Sequence, residues 1–317
     1  MRLQIKPKIS VIGCGFIGQS LIRVLLSKGY SVNVLDRNAC PAEFHSKLNW
    51  IVGSFNDKAA LNSALEGAEV AYHLVASTVP GDSHVDIATE LAENVIGTLN
   101  FIEICLSAGV KRIVFSSSSS VYGPQDVLPI SETQPTNPIS AHGIHKLMIE
   151  KYLLLASYKN GIDVRILRIA NPYGPGQNIY GRQGFIAMTI GNLLRGLPVL
   201  LSDDGRVIRD FIYIDDVAEI LSLCGTMNNL PSVINVGSQK GFSLKEVISL
   251  ISELLQVEVL TQSMKSRAVD IPSSILDIHL MNETTRFSPM VSLADGLSKT
   301  LRHHGFNVSC ADTLGNK

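Results

Sequence analysis

The chain has no run of lysine or arginine, and its 27 basic and 28 acidic side chains leave a formal charge of −1. Nothing in that pattern would neutralise a nucleic-acid backbone or hold an anionic bilayer, so neither is an expected partner. No apolar stretch approaches the ~20 residues needed to cross a membrane, so membrane insertion is not expected. The five cysteines (Cys14, Cys40, Cys105, Cys224 and Cys310) are odd in number and lack metal-ligand spacing. Reduced thiols, a cytoplasmic location and no metal are the expectation. A strand pattern starts within about ten residues of Met1, leaving no room for a signal peptide. There is no internal repeat and no low-complexity linker. Charged residues make up only 17% of the chain and hydrophobic ones 45%. That balance suits parallel strands buried on both faces, or a subunit interface. A chain of 317 residues can hold one large α/β domain or two ordinary ones.

What is present is an alternation. Residues 8–12 form a short β-branched run followed by Gly13-Cys14-Gly15-Phe16-Ile17-Gly18. A helix to about residue 28 follows, with Ile17, Leu21, Val24 and Leu25 at helical spacing, and Gly29 stops it. A second strand, 31–35, ends at Asp36. Strands at 48–52, 70–74, 110–116 and 163–169 then alternate with helices near 57–66, 85–108 and 142–158. This predicts an α/β fold, a Rossmann-type doubly wound parallel sheet. Beyond residue 169 the pattern loosens into turn-rich segments, helices near 185–195, 215–227 and 243–255, and a returning strand at 233–236. The expected division is a dinucleotide domain over 1–170, with returning segments near 212–236. A smaller substrate-binding part would take 171–211 and 237–317. The tail from His303 has little periodicity and is expected to be partly frayed.

A G-x-G-x-x-G run alone is a weak signal, but here it follows a strand, opens a helix and precedes a strand ending in an acid. Gly13, Gly15 and Gly18 would let the backbone approach a pyrophosphate at a helix N-terminus. Asp36 can accept from both ribose hydroxyls and would repel a 2′-phosphate. NAD is therefore favoured over NADP, although Arg37 keeps NADP open; a flavodoxin-like sheet without dinucleotide is the alternative. The second stretch of interest runs from Phe115 to Lys146. It begins F-S-S-S-S-S-V-Y-G, a strand end leading into a tight turn, and ends S-A-H-G-I-H-K at the start of a helix. His142 and Lys146, four apart, share a helix face. Ser117 or Ser118 would meet them at the C-terminal edge of the sheet. His145 falls on another face, where solvent is its expected surrounding.

These stretches resemble the extended short-chain dehydrogenase/reductases of the nucleotide-sugar epimerase/dehydratase group, typified by UDP-glucose/galactose 4-epimerase. The resemblance runs from residue 8 to about 301. It is carried by G-C-G-F-I-G (13–18), Y-H-L-V-A (72–76), E-N-V-I-G-T-L-N (93–100), F-S-S-S-S-S-V-Y-G (115–123), R-I-A-N-P-Y-G-P-G-Q (168–177), R-D-F-I-Y-I-D-D-V-A (209–218), I-N-V-G-S (234–238) and R-A-V-D (267–270). It implies that Ser118 bonds the reacting sugar hydroxyl or ketone, and that Lys146 binds the nicotinamide ribose and lowers the pKa of the base. Phe16, Ile17, Arg37, Ser54, Phe55, Leu74, Val75, Ala76, Asn94 and Ser116 would line the cofactor. Asn171 would touch the sugar nucleotide, Arg209 and Arg267 would clamp its diphosphate, and Asp270 would orient Arg267 or meet a sugar hydroxyl. A UDP- or dTDP-linked substrate and a homodimer are implied as well.

The departure that matters is His142, which stands where this family has the tyrosine of Tyr-x-x-x-Lys. None of the eight tyrosines has a lysine four residues on. An imidazole can also take a hydroxyl proton, its unperturbed pKa being about 6.5. It is shorter, though, and misplacement by about 1 Å costs roughly 100-fold in rate. Three readings follow: an NAD-dependent nucleotide-sugar epimerase, an NAD(P)H-dependent reductase of a 4-keto-6-deoxy nucleotide sugar, and a catalytically silent nucleotide-binding protein. A 4,6-dehydratase is disfavoured because Ser119 and Ser120 follow Ser118 where an acid would be needed.

Overall fold

A computed structural model describes residues 6–75, 86–264 and 271–309. Its first strands are β1 (Ile9–Ile12), β2 (Val32–Asp36), β3 (Asn49–Val52), β4 (Val70–His73), β5 (Arg112–Ser118) and β6 (Asp163–Ile169). They are followed by β7 (Asn171–Tyr173), β8 (Val199–Ser202), β9 (Ile208–Tyr213), β10 (Val233–Val236), β11 (Gly241–Ser243), β12 (Thr261–Met264) and β13 (Ser273–Ser274). The helices are α1 (Phe16–Ser27), α2 (Lys58–Leu65), α3 (Ile87–Leu91), α4 (Gly97–Ser107) and α5 (Ala141–Asn160). Then come α6 (Phe185–Leu194), α7 (Ile214–Thr226), α8 (Leu244–Leu255), α9 (His279–Thr285) and α10 (Leu293–His303).

The main sheet has seven strands in the order β10-β6-β5-β4-β1-β2-β3, and every pairing in it is parallel. Successive side chains leave opposite faces of a strand, and both faces are covered. Val11, Val34, Tyr72, Val114 and Leu167 pack on one side with Leu21 and Leu25 of α1 and Val217 and Leu221 of α7. Ile12, Leu35, Ala71, Phe115 and Ile166 pack on the other with Leu61 of α2, Phe101 of α4 and Ile149 and Leu153 of α5. The expected doubly wound α/β sheet is therefore present. Its strand order reverses between β1 and β4, which opens a crevice at their C-terminal ends where ligands of such sheets bind.

The smaller sheet is built on β9, which pairs antiparallel with β11 and parallel with β7 and β13, while β8 pairs with β12. Asp210 of β9 is fully buried and accepts bonds from Ser238 N (2.8 Å), Ser238 Oγ (2.7 Å), Gln239 N (3.2 Å) and Leu276 N (3.3 Å). These bonds tie β9 to the loop after β10 and to the segment after β13.

One local expectation needs correction. The helix expected over 85–108 is not continuous: a π-helical turn, Ala92–Ile96, separates α3 from α4, and residue 85 lies outside the described residues. Asn94 Nδ2 donates to Glu90 O (2.8 Å) and Thr98 Oγ1 to Asn94 O (2.5 Å), so side chains join the helix ladder there. The described part of the tail, up to residue 309, packs on the rest of the chain; residues 310–317 lie outside the described residues. Phe306 and Val308 pack on the core, and Ser309 N donates to Leu254 O at 3.1 Å. No helix among the described residues is long and apolar enough to cross a membrane.

Candidate active site

The turn after β1 divides its work among three glycines. Gly13 has φ +99°, and a Cβ there would sit 3.0 Å from Val75 Cγ2 and 3.2 Å from the Leu74 carbonyl carbon. A Cβ at Gly18 would lie 2.2 Å from Gly13 O, so that glycine lets α1 close on the turn. Gly15 is different: a Cβ there would meet nothing within 4 Å. It caps α1 without a side-chain acceptor, and the first turn carries no acid. The N–H groups and positive end of α1 thus face an open cradle that any larger residue would begin to fill, which is what a pyrophosphate requires. Phe16 and Ile17, the first two residues of α1, are partly buried and pack against the core.

Asp36 lies at the end of β2, next to the turn after β1. Its Oδ2 accepts from Cys14 N (2.7 Å), and its Oδ1 accepts from Asn38 N (2.9 Å) and Asn38 Nδ2 (3.0 Å). The carboxylate is thereby fixed beside the glycine turn with lone-pair capacity left for a ribose hydroxyl. Burial and the Asp36 charge push the Cys14 thiol up to about 12, so it stays protonated. The donor set fits the adenosine half of a dinucleotide.

The second half of the site is the β5 end with the start of α5. Ser140 caps α5 by accepting from Gly143 N (3.2 Å). Gly143 is required for close approach, because a Cβ there would sit 2.6 Å from Ser120 O. That contact brings the start of α5, with His142 and Lys146 on it, against the serine-rich strand end. Lys146 is buried, donates from Nζ to Ser116 O (2.7 Å), and holds its ammonium 4.6 Å from the Phe115 ring centre. Ser118 Oγ accepts from Ser120 N (3.2 Å) and Ser120 Oγ (2.9 Å), leaving its own proton to donate. Burial, then the neighbouring Lys146 charge, hold the His142 imidazole down at about 3. Burial also brings Lys146 down to about 8, with Glu150 opposing that shift.

A family model described as the NAD dependent epimerase/dehydratase family matches residues 9–237. The chain belongs to the NAD dependent epimerase/dehydratase family. Among its relatives is the dTDP-4-dehydro-6-deoxyglucose reductase of Escherichia coli, 28% identical over 92% of this chain and 95% of that one. Among solved structures it is similar to the UDP-glucose 4-epimerase of Thermotoga maritima with UDP-glucose. That similarity has a TM-score of 0.88 and 31% identity over 94% of this chain and 98% of the other. The Thermus thermophilus UDP-glucose 4-epimerase in complex with NAD superposes with a TM-score of 0.86 at 29% identity, covering 94% and 99%. The cofactor of the family, NAD, matches the cradle and acid of this chain.

Around this centre the remaining expected positions fall into groups. Leu74 and Val75 back the glycine turn. Ser54 Oγ accepts from Asn56 N at 3.2 Å, and Arg37 is exposed. Phe55 is buried, its ring 4.8 Å from His73, so that ring is spent on packing. Asn94 is buried in the π-turn. On the substrate side, Asn171 Nδ2 donates to Asp210 O (2.9 Å), and Arg209 Nη1 donates to Ile271 O (2.7 Å). These two are brought together on β7 and β9. Ala76, Arg267 and Asp270 lie outside the described residues.

One expectation is overturned. His145 is not solvated but 4% exposed, with Nδ1 3.9 Å from the equally buried Glu90. The π-turn and α3 cover that face of α5, which sequence spacing alone does not reveal. Sequence reading also missed Glu150 and Arg168. Both are buried, joined by Arg168 Nη2 to Glu150 Oε2 at 2.7 Å, with Ser117 Oγ donating to Glu150 Oε1 at 2.5 Å. A signal was present: Glu150 follows His142 and Lys146 at the next helical repeat, on a face that must pack against the sheet. No group of His, Cys, Asp or Glu among the described residues has a metal-holding arrangement.

Proposed function

We propose that this family member is an NAD-dependent nucleotide-sugar epimerase of the UDP-hexose 4-epimerase type, working through a transient ketone. The observation that carries the reading is the start of α5, where His142 stands one turn before the buried Lys146, whose Nζ is bonded to Ser116 O at the end of β5 (2.7 Å). NAD, when bound, supplies the hydride acceptor; Gly13, Gly15, Gly18 and Asp36 would hold its adenosine diphosphate half and Lys146 its nicotinamide ribose. Ser118 orients the sugar hydroxyl by donating its free proton. His142, unprotonated at pH 7, accepts the hydroxyl proton and returns it when the ketone is reduced. Lys146 stabilises the developing oxyanion through its charge. Arg209 and Arg267 clamp the diphosphate, and Asn171 and Asp270 meet the nucleotide sugar.

A second reading is favoured by the same electrostatics. Keeping His142 at about 3 makes it a weak base, while Lys146 at about 8 is a stronger acid than an ordinary lysine. Donation to an alkoxide is the easier direction, and that is the need of a 4-keto nucleotide-sugar reductase. Cofactor behaviour separates the two. The purified epimerase is expected to carry NAD, interconvert UDP-hexoses without added cofactor and lose all turnover as Lys146→Ala. Stoichiometric consumption of NADH or NADPH with a dTDP- or UDP-linked keto sugar would establish the reductase instead. Ligand-induced thermal stabilisation without turnover on any UDP-, dTDP-, GDP- or CDP-sugar would leave only a binding protein.

The same reading includes a homodimer. Ile144, Tyr152, Leu155 and Tyr158 form an exposed stripe on α5, with Ile96 exposed in the π-turn. Covering such a stripe with a second copy would remove it from water. Sedimentation velocity should give twice the 34.3 kDa chain mass; a monomer at micromolar concentration ends this idea.

A further inference from the structure

The buried pair of Glu150 and Arg168 has no part in the chemistry above, yet it joins the two elements of the second half of the site, α5 and the end of β5. Residues 115 and 117 of β5 share the face covered by α5, and residues 116 and 118 share the other. Ser117 Oγ donates to Glu150 Oε1 (2.5 Å) between two residues of the β5 end. On one side Ser116 offers its carbonyl to Lys146 Nζ (2.7 Å), and on the other stands Ser118. Arg168 Nε donates to Glu150 Oε1 (3.1 Å) and Oε2 (3.3 Å), and Arg168 Nη2 to Oε2 (2.7 Å). Arg168 Nη1 then reaches Tyr122 OH (3.0 Å), which donates to Asn235 Oδ1 of β10 (2.7 Å). The carboxylate is thus fixed to three strands of the sheet while standing one helical turn from Lys146.

We infer that Glu150 is a positioning residue: pinned by Arg168, its carboxylate fixes the β5 end through Ser117 and supplies the counter-charge to the Lys146 ammonium. This rests on the proposed roles of Ser118 and Lys146. The titratable groups facing Lys146 among the described residues are His142 and Glu150 on its own helix and His73 on β4, with Arg168 of β6 facing Glu150. Of these, only Glu150 carries negative charge. Beside the Ser116 carbonyl and the Phe115 ring, a carboxylate four residues after this buried lysine is the charged group that favours its protonated form.

The test follows the Lys146 Nζ resonance directly. In [15N]lysine-labelled protein, that signal is identified by its loss in Lys146→Arg and titrated with pH. Glu150→Gln is expected to move the midpoint to lower pH than in the unaltered protein. Should that variant fail to fold, with Arg168 left buried and unpaired, the neutral pair Glu150→Gln/Arg168→Gln carries the titration. An unmoved or raised midpoint overturns the counter-charge role. Ser117→Ala keeps the charge and cuts the tie, so its midpoint should stay in place while kcat falls about 10-fold and KM stays within about twofold. Ser117→Thr should restore kcat; unchanged kcat in Ser117→Ala overturns the positioning role. If no nucleotide sugar is turned over but the midpoint still moves, the counter-charge role stands and the proposed function alone fails.

Discussion

His142→Ala should lower kcat by about 100-fold or more, the usual loss when a general acid–base is removed, while NAD affinity changes by no more than about twofold. The reason is position. His142 stands on the first turn of α5, away from the glycine cradle and Asp36, so cofactor binding does not draw on its imidazole. Steady-state kinetics beside a fluorescence titration of NAD separate the two effects, and equal activity of the variant would show that the imidazole carries no proton. His142→Tyr is the informative partner, because a phenol next to the Lys146 charge ionises more readily and reaches further. A rate above that of the unaltered protein is expected from it. The pH profile carries a related expectation. His142 is neutral from about pH 3 upward and contributes no limb near neutrality. Lys146 is protonated below about 8, so activity that needs its charge falls as pH rises through that value. Lys146→Arg should push this limb out of the accessible range if it retains turnover.

The second large effect is on stability in acid. His73 is buried to 1% exposure between Phe55, Phe101 and Phe115, with Nε2 bonded to Thr98 Oγ1 at 2.8 Å. Burial, and secondarily the Lys146 charge, hold it at about 3. In the unfolded chain the same imidazole takes up a proton below about 6.5, so there the unfolded state binds more protons and stability falls as pH drops. The contribution is complete above the unfolded value and is lost between about 6.5 and 3. At about pH 4.5 the loss is on the order of 2–3 kcal/mol for His73 alone. His142 adds a loss of the same sign, softened by its partial exposure. Against a total stability of about 5–15 kcal/mol, that is a large share. Asp210 and Asp216 act oppositely, since burial raises both carboxyls. Urea unfolding at pH 7 and about 4.5 should therefore show a smaller acid loss for His73→Leu than for the unaltered protein, even though the variant starts less stable. An equal acid loss in both would mean that His73 is not held neutral.

Much of this molecule was readable before any coordinates. The alternation of β-branched runs with amphipathic helices has few solutions, and G-x-G-x-x-G between strand and helix demands a backbone that only glycines allow. Gly13, Gly15, Gly18 and Asp36 followed from local rules, as did the pairing of His142 with Lys146 on one helix face. Tertiary packing decided what local spacing could not. His145 is three residues from His142, and helical geometry says only that it faces another way. Whether that way holds water or Glu90 depends on α3 and the π-turn, which come from a segment some fifty residues earlier. Glu150 and Arg168 were not singled out in sequence; the pairing of Ser117 with Arg168 across β5 and β6 makes them a buried pair. The electrostatics of the site belong to the structure for the same reason. A histidine and a lysine four apart are ordinary in water, and it is removal from water between the sheet and its helices that holds His142 neutral and brings Lys146 within reach of proton transfer.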